Sequence, residues 1–118
     1  MLAERPAVYF VQQPPTHVIG HVGGSVYINC SARSRDLGPV EVTWLKDGRD
    51  ATEGDARRFV TETGALVIAP VMTSRVVGTS GLVERSIKAS DDGVYVCVAR
   101  HPSGTIVSTP VTLHVAST

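Results

Sequence analysis

The side chains with the clearest chemical potential in this 118-residue sequence are its two cysteines, Cys30 and Cys97. Both lie in segments rich in valine, isoleucine and tyrosine, which favour β-strands. A disulfide between them would close a long loop and stabilise the fold by about 4 kcal/mol, because it would restrict the unfolded chain. Such a bond would indicate an oxidising compartment, whereas two unpaired buried thiols would fit a cytosolic domain. No CxxC pair or Cys/His cluster suggests zinc.

No other side chains have the spacing that catalytic or metal-binding groups require. The histidines lie in different segments of the chain: His17, His21, His101 and His114. The first two are four positions apart, but their context is not helical, so they do not match a zinc motif. Four acidic residues near the middle of the chain lack the spacing of a calcium loop: Asp47, Asp50, Glu53 and Asp55. We therefore expect a protein that is not an enzyme and that uses no cofactor or metal ion.

The overall charge and hydropathy of the chain argue against some classes of partner. Eleven basic and 11 acidic side chains give a formal net charge of zero, which argues against nucleic acid as a partner. The longest apolar run, residues 65–72, is far shorter than the roughly 20 residues of a membrane span. We expect residues 1–118 to form a single domain with its core at about 7–116, as a piece of a longer protein.

Short segments in which apolar and polar residues alternate dominate the chain, and this pattern predicts β-strands. The predicted strands cover residues 7–11, 25–32, 40–45, 58–61, 65–71, 93–100 and 106–115, with an irregular edge at 49–57. In the second strand, Val26, Ile28 and Cys30 are expected on one face and Tyr27 and Asn29 on the other. About eight short strands separated by turns indicate an all-β sandwich.

A spaced set of residues resembles the immunoglobulin superfamily. Cys30 is followed by Trp44, and later by the pattern Asp-x-Gly-x-Tyr-x-Cys over residues 91–97. In an immunoglobulin sandwich the two cysteines bridge the sheets, the tryptophan packs on the bridge, and the tyrosine forms a corner with the preceding backbone. The resemblance implies a Greek-key β-sandwich with an inter-sheet disulfide between Cys30 and Cys97, and with Trp44 and Tyr95 in its core.

The spacing between Arg58-Phe59 and Leu66-x-Ile68 is short, which resembles an I-set domain. An immune variable-type domain, the alternative, would place more residues between these two motifs.

Longer motifs resemble the first immunoglobulin domains of neuronal guidance receptors. Residues 94–100 followed by Ile106-Val107-Ser108 look like the Roundabout receptors, and Tyr9-Phe10-Val11, residues 29–32 and residues 44–48 look like the DCC/neogenin receptors. This resemblance implies an extracellular, cell-surface module for axon guidance or cell adhesion that binds a protein ligand. It also implies that the domain is a fragment of a larger ectodomain whose parent protein is membrane-anchored. The alternative is a structural I-set domain of an intracellular filament protein, in which the cysteines would stay reduced.

Several residues are candidates for contact with a partner. Basic side chains suit a sulfated glycan such as heparan sulfate through charge-assisted hydrogen bonds: Arg33, Arg35, Lys46, Arg49, Arg57 and Arg58. The alternative is a mixed surface on which nearby aspartates neutralise them. Asn29-Cys30-Ser31 is an N-glycosylation sequon, so Asn29 is a candidate glycan site. Val94, Val96 and Val98 are expected to form an exposed apolar stripe, unless a neighbouring segment covers them.

The segment between residues 72 and 90 is longer than this family usually has at the same place. Loops of such length are often functional. It contributes further candidate contacts: Arg75, Leu82, Val83 and Arg85. The alternative is a different strand register, in which residues 82–87 supply part of the fifth strand.

Overall fold

A computed structural model describes residues 7–72 and 90–116, and all regular secondary structure in these two ranges is β-strand. The strands are β1 (Val8–Gln12), β2 (His17–His21), β3 (Val26–Ile28), β4 (Ser31–Ser34), β5 (Glu41–Lys46), β6 (Arg49–Asp50), β7 (Arg58–Val60), β8 (Leu66–Ile68), β9 (Gly93–His101), β10 (Gly104–Val107) and β11 (Val111–Ala116). Neither described range contains a helix that is long and apolar enough to cross a membrane.

The strands form the two faces of a sandwich, as the sequence predicts. One face has the order β2-β11-β9-β5-β6, with β10 paired to β9. The other consists of β3-β8-β7 and of the pair β1-β4. A disulfide joins Cys30, which lies between β3 and β4, to Cys97 in β9, with 6.6 Å between the Cα atoms. The predicted inter-sheet disulfide is therefore confirmed.

The core lies around this disulfide. Trp44 and Tyr95 are almost completely buried beside Cys30 and Cys97, as predicted. The indole Nε1 of Trp44 donates a 2.8 Å hydrogen bond to the carbonyl oxygen of Gly64 in the β7–β8 turn. Gly64 has a φ of 99°, and a Cβ atom at this position would overlap the carbonyl oxygen of Cys30. Only glycine fits this turn without strain.

The alternation predicted for residues 25–32 is confirmed, but the strand is divided. Val26, Ile28 and Cys30 are buried, whereas Tyr27 and Asn29 are exposed. The division arises because β3 pairs with β8, whereas β4 pairs with β1. Pairing partners of this kind are set by the whole fold and leave no local sequence pattern.

The predicted strand over residues 106–115 is also divided, between β10 and β11. Ser108 lies at the break, where its N–H donates to the carbonyl oxygen of Cys97 at 2.8 Å. Its hydroxyl oxygen in turn accepts the N–H of Cys97 at 2.9 Å. Pro110, which has no N–H to donate, is tolerated because it follows this break.

Strand β2 is the element that the alternation pattern did not predict. It pairs in parallel with β11, from His17 opposite Thr112 to His21 opposite Ala116. Gly20 is buried, and a Cβ there would lie 2.8 Å from Val26 Cγ2, so the close packing requires glycine. Because glycine occupies an inward position where a larger apolar residue is expected, the alternation pattern did not reveal this strand.

The connection between β5 and β7, which joins the two faces, is short, as the predicted I-set domain requires. The two-residue β6 is the only strand between β5 and β7, and residues 51–57, all of them described, form no further strand. A variable-type domain adds two strands at this place.

Candidate binding surfaces

The predicted tyrosine corner is present. The hydroxyl of Tyr95 donates to the backbone oxygen of Asp91 at 2.7 Å. Burial raises the pKa of Tyr95 far above its ordinary value, so the hydroxyl stays protonated and continues to donate.

The carboxylate of Asp91 is buried and is neutralised by two arginines. It accepts hydrogen bonds from Arg57 Nη1 at 2.8 Å, Arg58 Nε at 2.9 Å and the N–H of Met72 at 2.7 Å. The hydrogen bond to Asp91 is the main reason why the pKa of Arg57 is raised. Both guanidinium groups therefore stabilise the fold, and Arg58 also lines the cleft that contains Lys46 and Arg49.

Lys46 and Arg49 do lie together, on either side of the β5–β6 turn. They are register partners, and Asp47 and Gly48 between them both have a positive φ, as a tight hairpin turn requires. The same cleft also contains Asp47 and Asp50. Asp47 accepts the N–H of Val94 at 3.0 Å, which is the main cause of its lowered pKa, and lies 3.1 Å from Lys46 Nζ. The charge of this cleft is mixed.

Arg33 and Arg35 lie at the opposite end of the sandwich. Arg33 is opposite Tyr9 in the β1–β4 pair, and the N–H of Arg35 donates to the oxygen of Ala7. Strand β5 separates this end from Lys46, a distance of about 17 Å along the strand. The four basic residues therefore form two separate pairs rather than one patch.

The remaining candidate residues are four in the segment between residues 72 and 90, and Asn29. Arg75, Leu82, Val83 and Arg85 lie outside the described residues, as does the alternative strand over residues 82–87. Asn29 is exposed, and its glycosylation stays a prediction.

The predicted stripe of three exposed valines on β9 is wrong. Val94 is exposed, Val96 is half-buried, and Val98 is only 4% exposed. At Val98 the strand is flanked on both sides, by Thr43 of β5 and by Val107 of β10. The neighbouring strands β5 and β10 therefore limit the exposure of the Val98 side chain to water.

A different apolar row occurs on the outer face of the β3-β8-β7 sheet. Tyr27, Val67 and Phe59 are opposite one another in register across the three strands. Tyr27 is 58% exposed and Phe59 is 50% exposed. The sequence pattern placed Tyr27 outward, but it did not indicate that β7 would bring Phe59 into the same row.

The loop between β4 and β5, residues 35–40, is held by one carboxylate. Asp36 Oδ1 accepts the hydroxyl of Ser34 at 2.6 Å and the N–H of Gly38 at 2.8 Å, and it lies 3.3 Å from His101 Nε2. The Ser34 hydroxyl, followed by the Gly38 N–H, lowers the pKa of Asp36. Beside this network Leu37 has a φ of 62° and is 87% exposed. The sequence pattern did not indicate a role for Leu37.

The chain resembles known proteins along most of its length. A family model described as an immunoglobulin domain matches residues 9–115. Roundabout homolog 2 of Homo sapiens is 31% identical over 104 residues, covering 88% of this chain and 6% of that protein. Netrin receptor DCC of Rattus norvegicus is 33% identical over 112 residues, covering 93% and 7%. Neogenin of Mus musculus is 36% identical over 110 residues, covering 92% and 6%.

These matches confirm the resemblance to Roundabout and to DCC/neogenin that the sequence motifs indicated. The chain spans only 6–7% of the length of these relatives. It is similar to one part of proteins that include a netrin receptor.

Solved structures agree on the fold. Tandem Ig repeats of Dlar superpose with a TM-score of 0.73 at 23% identity, over 98% of this chain and 49% of that one. Sidekick-1 immunoglobulin domains 1–4 give 0.71 at 22% identity, over 93% and 24%. At these identities the likeness shows the architecture alone.

Proposed function

Because the chain belongs to the immunoglobulin domain family, we propose that it is the extracellular, protein-binding module of a cell-surface receptor in axon guidance or cell adhesion. The observation that carries this proposal is the similarity to a netrin receptor across 93% of the chain. The chain would act by binding, without catalysis, as part of a membrane-anchored parent protein.

The disulfide supports an extracellular location. A bond between Cys30 and Cys97 persists in oxidising compartments, whereas cytosolic reductants keep most thiols reduced. This argument disfavours the alternative of an intracellular filament domain.

A binding screen tests the proposal. The domain, secreted from cultured cells and tetramerised on streptavidin, is applied to an array of secreted and cell-surface ectodomains. We expect saturable binding to at least one guidance or adhesion protein, with heat-unfolded tetramer as the control. An array without any specific partner, together with two free thiols in the secreted protein by non-reducing mass analysis, would contradict the proposal.

A sulfated glycan such as heparan sulfate is a second candidate ligand. The register pairing of Lys46 with Arg49 at an accessible turn favours it, because adjacent cations suit sulfate groups. Asp47 and Asp50 in the same cleft oppose it. Retention on a heparin column therefore measures whether the basic or the acidic side chains of this cleft dominate its interaction with a sulfated glycan.

We expect the double variant Lys46→Ser/Arg49→Ser to elute from a heparin column at lower salt than the unchanged domain, because two cations are lost. The matched control is the double variant Arg33→Ser/Arg35→Ser, which removes two cations from the opposite end of the sandwich and should elute at higher salt than Lys46→Ser/Arg49→Ser. Equal elution of Lys46→Ser/Arg49→Ser and the unchanged domain would remove Lys46 and Arg49 as glycan contacts.

A further inference from the structure

The β4–β5 loop displays a leucine in an unfavourable backbone conformation. Leu37 has a φ of 62°, in the left-handed region that side chains other than glycine, asparagine and aspartate rarely adopt. Its side chain is 87% exposed, so it gains almost no burial within the domain. Within the part of the chain that the structure describes, burial of this side chain does not offset its backbone conformation.

Neighbouring residues hold the loop in this shape. Asp36 binds Ser34 and Gly38 on either side of Leu37, and His101 of β9 lies against the same oxygen. His101 Nδ1 accepts the N–H of Ser103 at 3.1 Å, so Nε2 carries the proton that is directed at Asp36. The loop is thereby fixed to the β9–β10 turn, and Leu37 is presented on a rigid support. Strained residues of this kind cluster at binding and functional sites.

The surroundings of Leu37 indicate the chemistry of a partner. The side chain stands between two clefts, one lined by Tyr9, Ser34 and Arg35 and the other by Ala32, Arg33 and Val40 among others. Among the residues that the structure describes, Arg33 and Arg35 line these clefts, and the exposed carboxylate of Asp36 is held by Ser34 and Gly38. Tyrosine and arginine, which line these clefts beside Leu37, are the residue types enriched in interaction hot spots.

We propose that Leu37 is the apolar anchor of a protein-contact surface, with Tyr9 and Arg33 beside it, and that this surface binds a partner segment in which carboxylates flank an apolar side chain. The apolar side chain packs against Leu37 and Tyr9, and a flanking carboxylate meets Arg33. This inference rests on the proposed function and deepens it, because it assigns the binding surface and the charge of the partner.

The backbone conformation provides a diagnostic substitution. Asparagine tolerates a positive φ better than leucine does, so Leu37→Asn removes the apolar anchor while it relieves the backbone. We expect a melting temperature equal to or above that of the unchanged domain. A residue that served stability alone would give a lower one, and that result would overturn the proposal.

The binding test uses phage-displayed random 12-residue peptides selected on the intact domain near neutral pH and physiological salt. We expect enriched peptides in which acidic residues flank an apolar one. Their Kd should rise at least tenfold for Leu37→Asn and for Arg33→Glu. The matched controls are Val22→Asn, an exposed apolar residue in the β2–β3 turn, and Arg49→Glu at the opposite end. Neither should change the Kd more than twofold.

Three outcomes would overturn the proposal: no enrichment, peptides without acidic residues, or affinities that the controls reduce as much as Leu37→Asn does. The same variants in the ectodomain array separate this inference from the proposed function. A partner that binds Leu37→Asn with unchanged affinity would leave the receptor function intact and exclude this surface.

Discussion

A single carboxylate, that of Asp91, joins parts of the chain that are distant in sequence. It binds Arg57 and Arg58, 34 and 33 positions away, and the N–H of Met72. The sequence placed Asp91 at the tyrosine corner, but it gave no sign of the arginines, because contacts over such separations depend on how β7 packs. For the same reason both arginines were among the candidates for a glycan contact, beside the alternative of a mixed, neutralised surface.

We expect Asp91→Asn to lower the free energy of unfolding by about 1.5–3 kcal/mol, because Arg57 and Arg58 would lose charge-assisted hydrogen bonds to Asp91 and keep only Asp55 as a counter-charge. Urea denaturation measures the loss. The exposed Asp50→Asn is the control and should stay within about 0.5 kcal/mol of the unchanged domain. Similar losses for both variants would mean that the buried ion pairs contribute no more than a surface charge.

At the scale of elements, alternation of apolar residues predicted most strands but not their partners. β5, β7, β8 and β9 lie close to their predicted positions, although three consecutive residues of β9, 97–99, are buried and break its alternation. The divisions at residues 29–30 and 108–110 were not predicted, because the two parts of each strand meet different neighbours. β2 was missed because Gly20 occupies an inward position where a larger apolar residue is expected.

The hydroxyl group of Ser108 stabilises the break between β10 and β11. Ser108→Ala leaves the buried N–H of Cys97 without its side-chain acceptor, so we expect the free energy of unfolding to fall by about 1–3 kcal/mol. Thermal and urea unfolding measure this, with the exposed Ser25→Ala as the control. An unchanged stability would show that the N–H of Cys97 finds another acceptor.

For the whole molecule, several aspartates make stability depend on pH. Burial would raise the pKa of Asp55, but the N–H and guanidinium of Arg57 outweigh it, so the pKa lies below its ordinary value of 3.8. The pKa values of Asp36, Asp47 and Asp50 are lowered as well. Below about pH 4 the unfolded chain therefore binds protons that the folded chain still excludes, and stability falls as the pH decreases.

Urea denaturation between about pH 2.5 and 6 checks this dependence. We expect a plateau at the upper end and a decline that begins near pH 4. Asp55→Asn should make the decline shallower, because one carboxylate with a lowered pKa is lost. A stability that rises on acidification would contradict the assignment.

The candidate surfaces could be predicted only in part. The basic residues were visible in the sequence, but their division between two ends of the sandwich follows from the direction of β5. Leu37 gave no signal, because a single exposed leucine is ordinary and the sign of its φ cannot be read from the residue type.

The parallel pairing of β2 with β11 has a mechanical consequence. A force that separates residue 16 from residue 116 pulls β2 toward its amino end and β11 toward its carboxyl end. In a parallel pair these directions slide the strands past each other, so the register pairs from His17–Thr112 to His21–Ala116 share the load. An antiparallel hairpin pulled from its open end would instead lose its pairs one at a time. Between those two residues the domain therefore resists tension by shear.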